Sequence, residues 1–279
     1  MDISKLRENW KLHGFRPSKI LGQNFLIDKN IRDKILANIS LSGDDTVVEI
    51  GPGFGAMTVE LSKKCASVTA IEKDRTIYDI VSGEIACGKI KMLNEDFLEV
   101  DLAALCPAGK KLVVYGNIPY SITTPIIEKV IEARDHVGKV FMVMQDEYAR
   151  RLTSGPGTKE YGSITCFAQF YAKLKPLFKI SKNCFFPVPK VDSCLLSMDL
   201  SRGPLVTVKD RELMFRIIRQ SFSQRRKQIL NTISHSDFLG IDRPVWETIL
   251  KDTGIGVSLR AENLSIHDFA KIADRVNDK

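Results

Sequence analysis

A chain of 279 residues with 44% apolar content has ample material for a core, and its length suits one large domain or a large domain with a small companion. Charged residues make up 27%, and no apolar run approaches the ~18 residues a membrane-spanning helix requires, so intrinsic disorder and membrane insertion are both excluded. Lysine and arginine total 41 against 34 acids, a net charge of +7 that suits a polyanionic partner. The N-terminal residues Lys5, Arg7, Lys11, Arg16 and Lys19 flank no apolar stretch, so no secretory signal is expected and the compartment expected is the cytoplasm.

After this basic segment, Asp28 is placed to cap a helix in which Ile31, Ile35 and Ile39 share one face. Short β-branched runs follow, separated by helical stretches: Thr46–Ile50, Ser67–Ile71, Lys89–Leu93, Lys111–Tyr115 and Lys139–Met144. The alternation is that of an α/β fold, a mostly parallel, doubly wound sheet of Rossmann-like type. Val113-Val114 and Val140-Phe141-Met142-Val143 suit central strands buried on both faces. Ile164–Tyr171 and Ser193–Leu200 then read as strands closing the sheet in antiparallel fashion, joined through the Pro-rich Phe185-Phe186-Pro187-Val188-Pro189. Past Arg202-Gly203-Pro204 the pattern is helical, with helices expected near 209–222, 224–234, 244–252 and 265–276. The expected division is therefore a domain over 1–202 and a small α-helical domain over 203–279.

The strongest local signal is Val47-Val48-Glu49-Ile50-Gly51-Pro52-Gly53-Phe54-Gly55, a strand entering a glycine loop before a helix. Such a loop lets a ligand press against backbone N–H groups at a helix start. The next strand ends in Ile71-Glu72, where a carboxylate can accept from both hydroxyls of a ribose. Gly51-x-Gly53-x-x-Ala56 also satisfies the fingerprint of NAD enzymes, so a dehydrogenase stands as a rival, although no hydride-transfer acid or base is recognisable. Two further strand ends carry Asn94-Glu95-Asp96-Phe97 and Asn117-Ile118-Pro119-Tyr120. The latter suits an amine on an aromatic ring: the Asn117 amide oxygen and the Ile118 carbonyl can accept its two hydrogens while Tyr120 stacks on the ring. The cysteines at 65, 87, 106, 166, 184 and 194 contain no C-x-x-C pair and read as reduced, mostly buried thiols, so neither a metal site nor a cysteine nucleophile is expected.

In order and spacing these segments resemble the rRNA adenine dimethyltransferase family, in its small-subunit branch. The likeness takes in Leu21-Gly22-Gln23-Asn24-Phe25-Leu26, the Glu49 to Gly55 loop, Glu72, Asp96, Asn117 to Tyr120, and Phe185 to Ser193, with Gln224-Arg225-Arg226-Lys227 similar to a basic helix start. The resemblance implies a class I S-adenosylmethionine-dependent methyltransferase. By it Asn24 and Leu26 border the cofactor, Gly51 meets its methionine portion, Glu72 its ribose and Asp96 its adenine amine. Asn117 touches both the cofactor end and the target amine, and Phe185 faces Tyr120 across the target base, with Phe186 the competitor for that place. The implied substrate is a pair of adjacent adenosines near the 3′ end of 16S rRNA in the immature small subunit, each receiving two methyl groups, with nothing demanding more than a monomer. Ile118 stands where the family often has leucine and Val188 where it usually has proline.

Two basic stretches fit phosphate contacts: Lys173, Lys175, Lys179, Lys182 and Lys190 without acids, and seven bases over 209–231 against Asp210 and Glu212. Two further rivals remain at this stage, a methyltransferase acting on large-subunit rRNA and an rRNA-docking assembly factor in which methylation is secondary.

Overall fold

Residues 8, 10–18, 21–85, 88–235 and 238–278 are described by the computed structural model. A short strand β1 (Phe25–Leu26) leads into α1 (Lys29–Asn38), whose cap is the expected one: the Asp28 carboxylate accepts from Ile31 N at 3.0 Å. Strands then alternate with helices: β2 (Thr46–Ile50), α2 (Ala56–Ser62), β3 (Ser67–Ile71), α3 (Arg75–Ile85), β4 (Ile90–Leu93), α4 (Leu102–Leu105), β5 (Leu112–Asn117), α5 (Thr123–Glu132) and β6 (Val137–Gln145). Every residue of β2 is buried, as its β-branched sequence between two helical layers requires. The remaining elements are α6 (Asp146–Thr153), α7 (Ser163–Tyr171), β7 (Lys173–Ile180), β8 (Phe185–Phe186), β9 (Ser193–Asp199), α8 (Arg211–Phe222), α9 (Ile229–Ile233), α10 (Arg243–Asp252) and α11 (Ile266–Asn277).

The main sheet has the order β4-β3-β2-β5-β6-β9-β7, parallel from β4 through β6 and antiparallel at β6–β9 and β9–β7. This is the class I methyltransferase arrangement, Rossmann-like with an antiparallel end. Chain direction across the sheet reverses between β2 and β5, and open α/β sheets bind ligands at that switch, beyond the strand C-termini. β1 and β8 form a separate antiparallel pair, Phe25 opposite Phe186 and Leu26 opposite Phe185.

Two expectations about the elements are corrected. Ile164–Tyr171 is helical, within α7, because its buried positions Cys166 and Phe170 lie four apart and Thr165 Oγ1 accepts from Gly162 N at 3.2 Å across the first turn. The strand belongs instead to Lys173–Ile180, which reads as polar because β7 is the sheet's edge, and Pro176 is tolerated there. The expected helix over 224–234 is helical only at Ile229–Ile233, with Arg225 Nη2 donating to Tyr161 O at 3.0 Å.

The domain division also differs from a cut at 202. One unit comprises 1–149 and 173–201, the other 150–172 and 202–279. The second gains α7, whose Phe170 meets Phe215 of α8 edge-on at 5.3 Å; its core also holds Trp246 and Phe269, both fully buried. Cys65, Cys166 and Cys194 are buried, Cys106 and Cys184 half-buried, and Cys87 lies outside the described residues, as do Lys5, Arg7 and Lys19. No helix among the described residues is long and apolar enough to cross a membrane.

Candidate active site

At the switch point between β2 and β5 the first unit opens into a cavity of about 320 Å³. All eight residues singled out in the sequence line it: Asn24, Leu26, Gly51, Glu72, Asp96, Asn117, Tyr120 and Phe185. They arrive on the ends of β2, β3, β4 and β5 and on the β1–β8 pair, the positions that a doubly wound sheet reserves for a ligand.

Gly51, Gly53 and Gly55 all have positive φ, at 63°, 54° and 74°. At Gly53 a Cβ would meet the Phe25 ring at 3.0 Å, and at Gly55 it would meet Ile85 at 2.8 Å, so the protein's own packing requires both. At Gly51 a Cβ would meet nothing within 4 Å. The space beside Gly51 is therefore open, and its backbone can approach a ligand closely.

Glu72, 7% exposed, accepts from Gly53 N at 3.3 Å through one carboxylate oxygen and from Asp74 N at 2.9 Å through the other. Burial pushes its pKa up to about 7, with those N–H groups acting in the opposite sense. Asp96 is opposed in character: burial raises its pKa, but Lys73, bonded to Oδ2 at 2.6 Å, the Leu98 N–H and the Lys129 charge together outweigh this and hold the carboxyl below its ordinary value. The Leu98 N–H reaches Asp96 Oδ1 at 3.0 Å, leaving an ionised acid at the cavity wall.

Asn117 Nδ2 donates to the Asn24 carbonyl at 2.8 Å. That bond fixes which way the amide faces and leaves Oδ1 as the acceptor. Asn24 is in turn held by Nδ2 donating to Gly22 O at 2.9 Å, and Arg32 Nη1 gathers the carbonyls of Leu26 and Ile27 at 3.2 and 2.9 Å. Phe185 is 2% exposed yet lines the cavity, whereas Phe186 stacks on Trp10 with centroids 5.2 Å apart, outside the cavity lining.

Sequence reasoning missed two groups. Glu49 and Tyr115 are cross-strand partners on β2 and β5, both line the cavity, and Glu49 Oε2 and the Tyr115 hydroxyl have no hydrogen-bond partner. Burial raises the Glu49 pKa to about 7; Thr58 opposes the shift and the Glu72 charge adds to it. The signal was a lone acid in the otherwise apolar strand Thr46–Ile50, whose every position is buried. Because the folded value lies above the ordinary 4.5, the protonated group favours the fold below pH 4.5, and that contribution is lost as pH rises through 7. In thermal melts without cofactor, Glu49→Gln should therefore gain on the wild type between pH 5 and pH 8. Parallel curves would assign the shift elsewhere.

A glycine cradle with unclaimed space, a buried acid at the end of the second parallel strand, and an unpartnered carboxylate oxygen fit a nucleoside carrying an amino-acid arm. Fold and cavity together define a class I methyltransferase. The model of the family described as ribosomal RNA adenine dimethylase matches residues 14–278. Among curated relatives, the chain is 37% identical to ribosomal RNA small subunit methyltransferase A of Pelotomaculum thermopropionicum, covering 98% of this chain and 96% of the relative. It is 38% identical to the protein of that name from Shouchella clausii, covering 95% and 91%. Similar solved structures include a dimethyladenosine transferase from Plasmodium falciparum, at TM-score 0.77 and 22% identity over 91% of this chain and 98% of that one. The 23S rRNA methyltransferase ErmE is also similar, at TM-score 0.67 and 25% identity over 91% and 99%. The chain belongs to the ribosomal RNA adenine dimethylase family, and its methyl donor is S-adenosylmethionine.

Proposed function

We propose that the protein dimethylates the 6-amino groups of two adjacent adenosines near the 3′ end of 16S rRNA, acting as a monomer in the cytoplasm on the immature small subunit. The observation carrying the reading is the Asn117 amide, locked by the Asn24 carbonyl with its oxygen left to accept, between a cofactor-type cavity and an aromatic pair. The small-subunit choice follows relatives of that name aligned over nearly the full chain.

S-adenosylmethionine, when bound, supplies an electrophilic methyl group on a sulfonium. Gly51 gives its methionine arm close backbone approach, and Glu49 Oε2 accepts from the ammonium of that arm. Glu72 accepts from the ribose hydroxyls and Asp96 from the adenine amine, with Asn24 and Leu26 closing the side of the cavity. On the substrate side Tyr120 and Phe185 hold the target base between them; stacking is worth ~1–3 kcal/mol per base and helps offset its removal from the RNA stack. The engagement of Phe186 with Trp10 supports Phe185 for this task. Asn117 Oδ1 and the Ile118 carbonyl accept the two amine hydrogens, which turns the nitrogen lone pair toward the methyl group. Transfer would break the carbon–sulfur bond as the nitrogen–carbon bond forms, leaving a neutral thioether, and the methylated nitrogen would be strongly acidic, so its proton would pass to water without a dedicated base.

The second unit is a docking element for rRNA on this reading. Arg225 serves the fold, bound to Tyr161 O, while Arg226 and Lys227 are exposed and fit phosphate contact. Transfer of labelled methyl to small subunits lacking the modification, with mature small subunits and large subunits alongside, tests the reading. Label confined to the first supports it; label on large subunits contradicts it, and binding without transfer leaves a docking factor.

A further inference from the structure

The Pro-rich segment that carries Phe185 ends on Ser193, and Ser193 reaches the opposite aromatic wall. Its Oγ lies 3.1 Å from the Tyr120 phenol oxygen, with either group able to donate. Ser193 is 1% exposed and opens β9, in register with Gln145 of β6 and Ile180 of β7. The residue before it is fixed from three sides. Asp192 O accepts from Asp146 N at 3.1 Å, its Oδ1 from Lys182 N at 3.0 Å, and its Oδ2 pairs with Lys179 Nζ at 2.9 Å.

Tyr120 stands on a different kind of support. It begins a single 3₁₀ turn, Tyr120–Ile122, tied at its end by Thr123 Oγ1, which lies 3.3 Å from the carbonyls of both Pro119 and Tyr120. Those bonds hold the backbone and leave the ring's two side-chain torsions to other contacts. Stacking uses the face of the ring, for which a phenylalanine would serve as well, so the phenol hydroxyl has another use. Here that use is the bond to Ser193.

We propose that Ser193 is a positioning residue for methyl transfer: through the phenol it fixes the plane of the Tyr120 ring. The segment 185–193 then sets both walls around the target base, Phe185 directly and Tyr120 through its edge. The inference rests on the base-stacking reading above. Ser193 does not line the cavity, so its effect falls on alignment of the base and leaves cofactor binding unchanged.

The test compares Ser193→Ala, Ser193→Thr, Tyr120→Phe and the Ser193→Ala/Tyr120→Phe double variant in single-turnover transfer to small subunits lacking the modification. S-adenosylmethionine affinity and thermal midpoint are measured on the same preparations. Ser193→Ala and Tyr120→Phe should each slow transfer about five-fold, as loss of one neutral hydrogen bond gives, with unchanged cofactor affinity. The double variant should be no slower than either single one, and Ser193→Thr should recover most of the rate. Wild-type transfer by Ser193→Ala, or losses that multiply in the double variant, would overturn the proposal. So would a loss in Ser193→Ala accompanied by weakened cofactor binding, or by a midpoint lowered further than Tyr120→Phe lowers it through loss of the same hydrogen bond, since packing would then be its cause. Tyr120→Ala separates the two levels: full activity there removes the stacking reading itself, whereas an inactive Tyr120→Ala beside a fully active Ser193→Ala removes only the tether.

Discussion

Replacing Asn117 with alanine is expected to lower the rate of methyl transfer about 100- to 1,000-fold, the effect of deleting one preorganised group from a polar reaction centre. The amide does two jobs that alanine cannot. Its Nδ2 bond to Asn24 O ties the loop after β5 to the segment entering β1, and its oxygen receives the amine hydrogen that orients the lone pair. An aryl amine is a weak nucleophile, so orientation is where the enzyme gains most. Binding of S-adenosylmethionine should weaken far less than the rate, because Gly51, Glu72 and Asp96 remain. Single-turnover transfer and equilibrium cofactor binding on the same variant separate the two. A variant that loses affinity and rate in equal proportion would make Asn117 a cofactor ligand alone.

Glu72 sets the second large effect. Its pKa of about 7 means that near neutrality the cofactor-free carboxyl is part protonated, while two donating ribose hydroxyls require the ionised form. Binding therefore releases a proton below pH 7, and affinity should fall about eight-fold from pH 7.5 to pH 6 for this group alone. Glu72→Gln should bind about 10- to 100-fold more weakly, the loss of hydrogen bonds to a charged acceptor, with a flatter pH profile. Titration calorimetry in buffers of different ionisation enthalpy measures both proton release and affinity. A slope that remains in Glu72→Gln and disappears in the Glu49→Gln/Glu72→Gln double variant belongs to Glu49, the other cavity carboxyl with a pKa of about 7. A wild-type affinity independent of pH from 6 to 8 would contradict the role given to Glu72.

The parallel half of the fold was legible because its strands are buried on both faces, so β-branched residues cluster where the strands are: the expected Thr46–Ile50 and Ser67–Ile71 match β2 and β3 residue for residue. The edge was not. Lys173–Ile180 carries three lysines and a proline, which only an edge strand accommodates, while the aromatic-rich Ser163–Tyr171 is a helix that buries Phe170 fully and half-buries Phe167 and Tyr171. That exchange also moved the domain division, since 150–172 belongs to the second unit, which the chain first enters after building six strands of the main and minor sheets. The cavity residues were legible wherever they end a strand, as Glu72, Asp96 and Asn117 do. Glu49 and Tyr115 were not, because inside a strand an acid or phenol acquires its meaning from the partner opposite, and pairing of β2 with β5 is a long-range fact.

The central claim is that this cavity moves methyl groups onto the 6-amino nitrogens of adenosines in small-subunit rRNA. Mass spectrometry of nuclease-digested RNA tests it most directly, using unmodified small subunits incubated with S-adenosylmethionine and either the wild type or Asn117→Ala. Two adjacent dimethyladenosines in the 3′-terminal fragment with the wild type, and unmodified adenosines with the variant, are the expected result. Methyl groups on another base or another RNA, or an equal yield from Asn117→Ala, would contradict it.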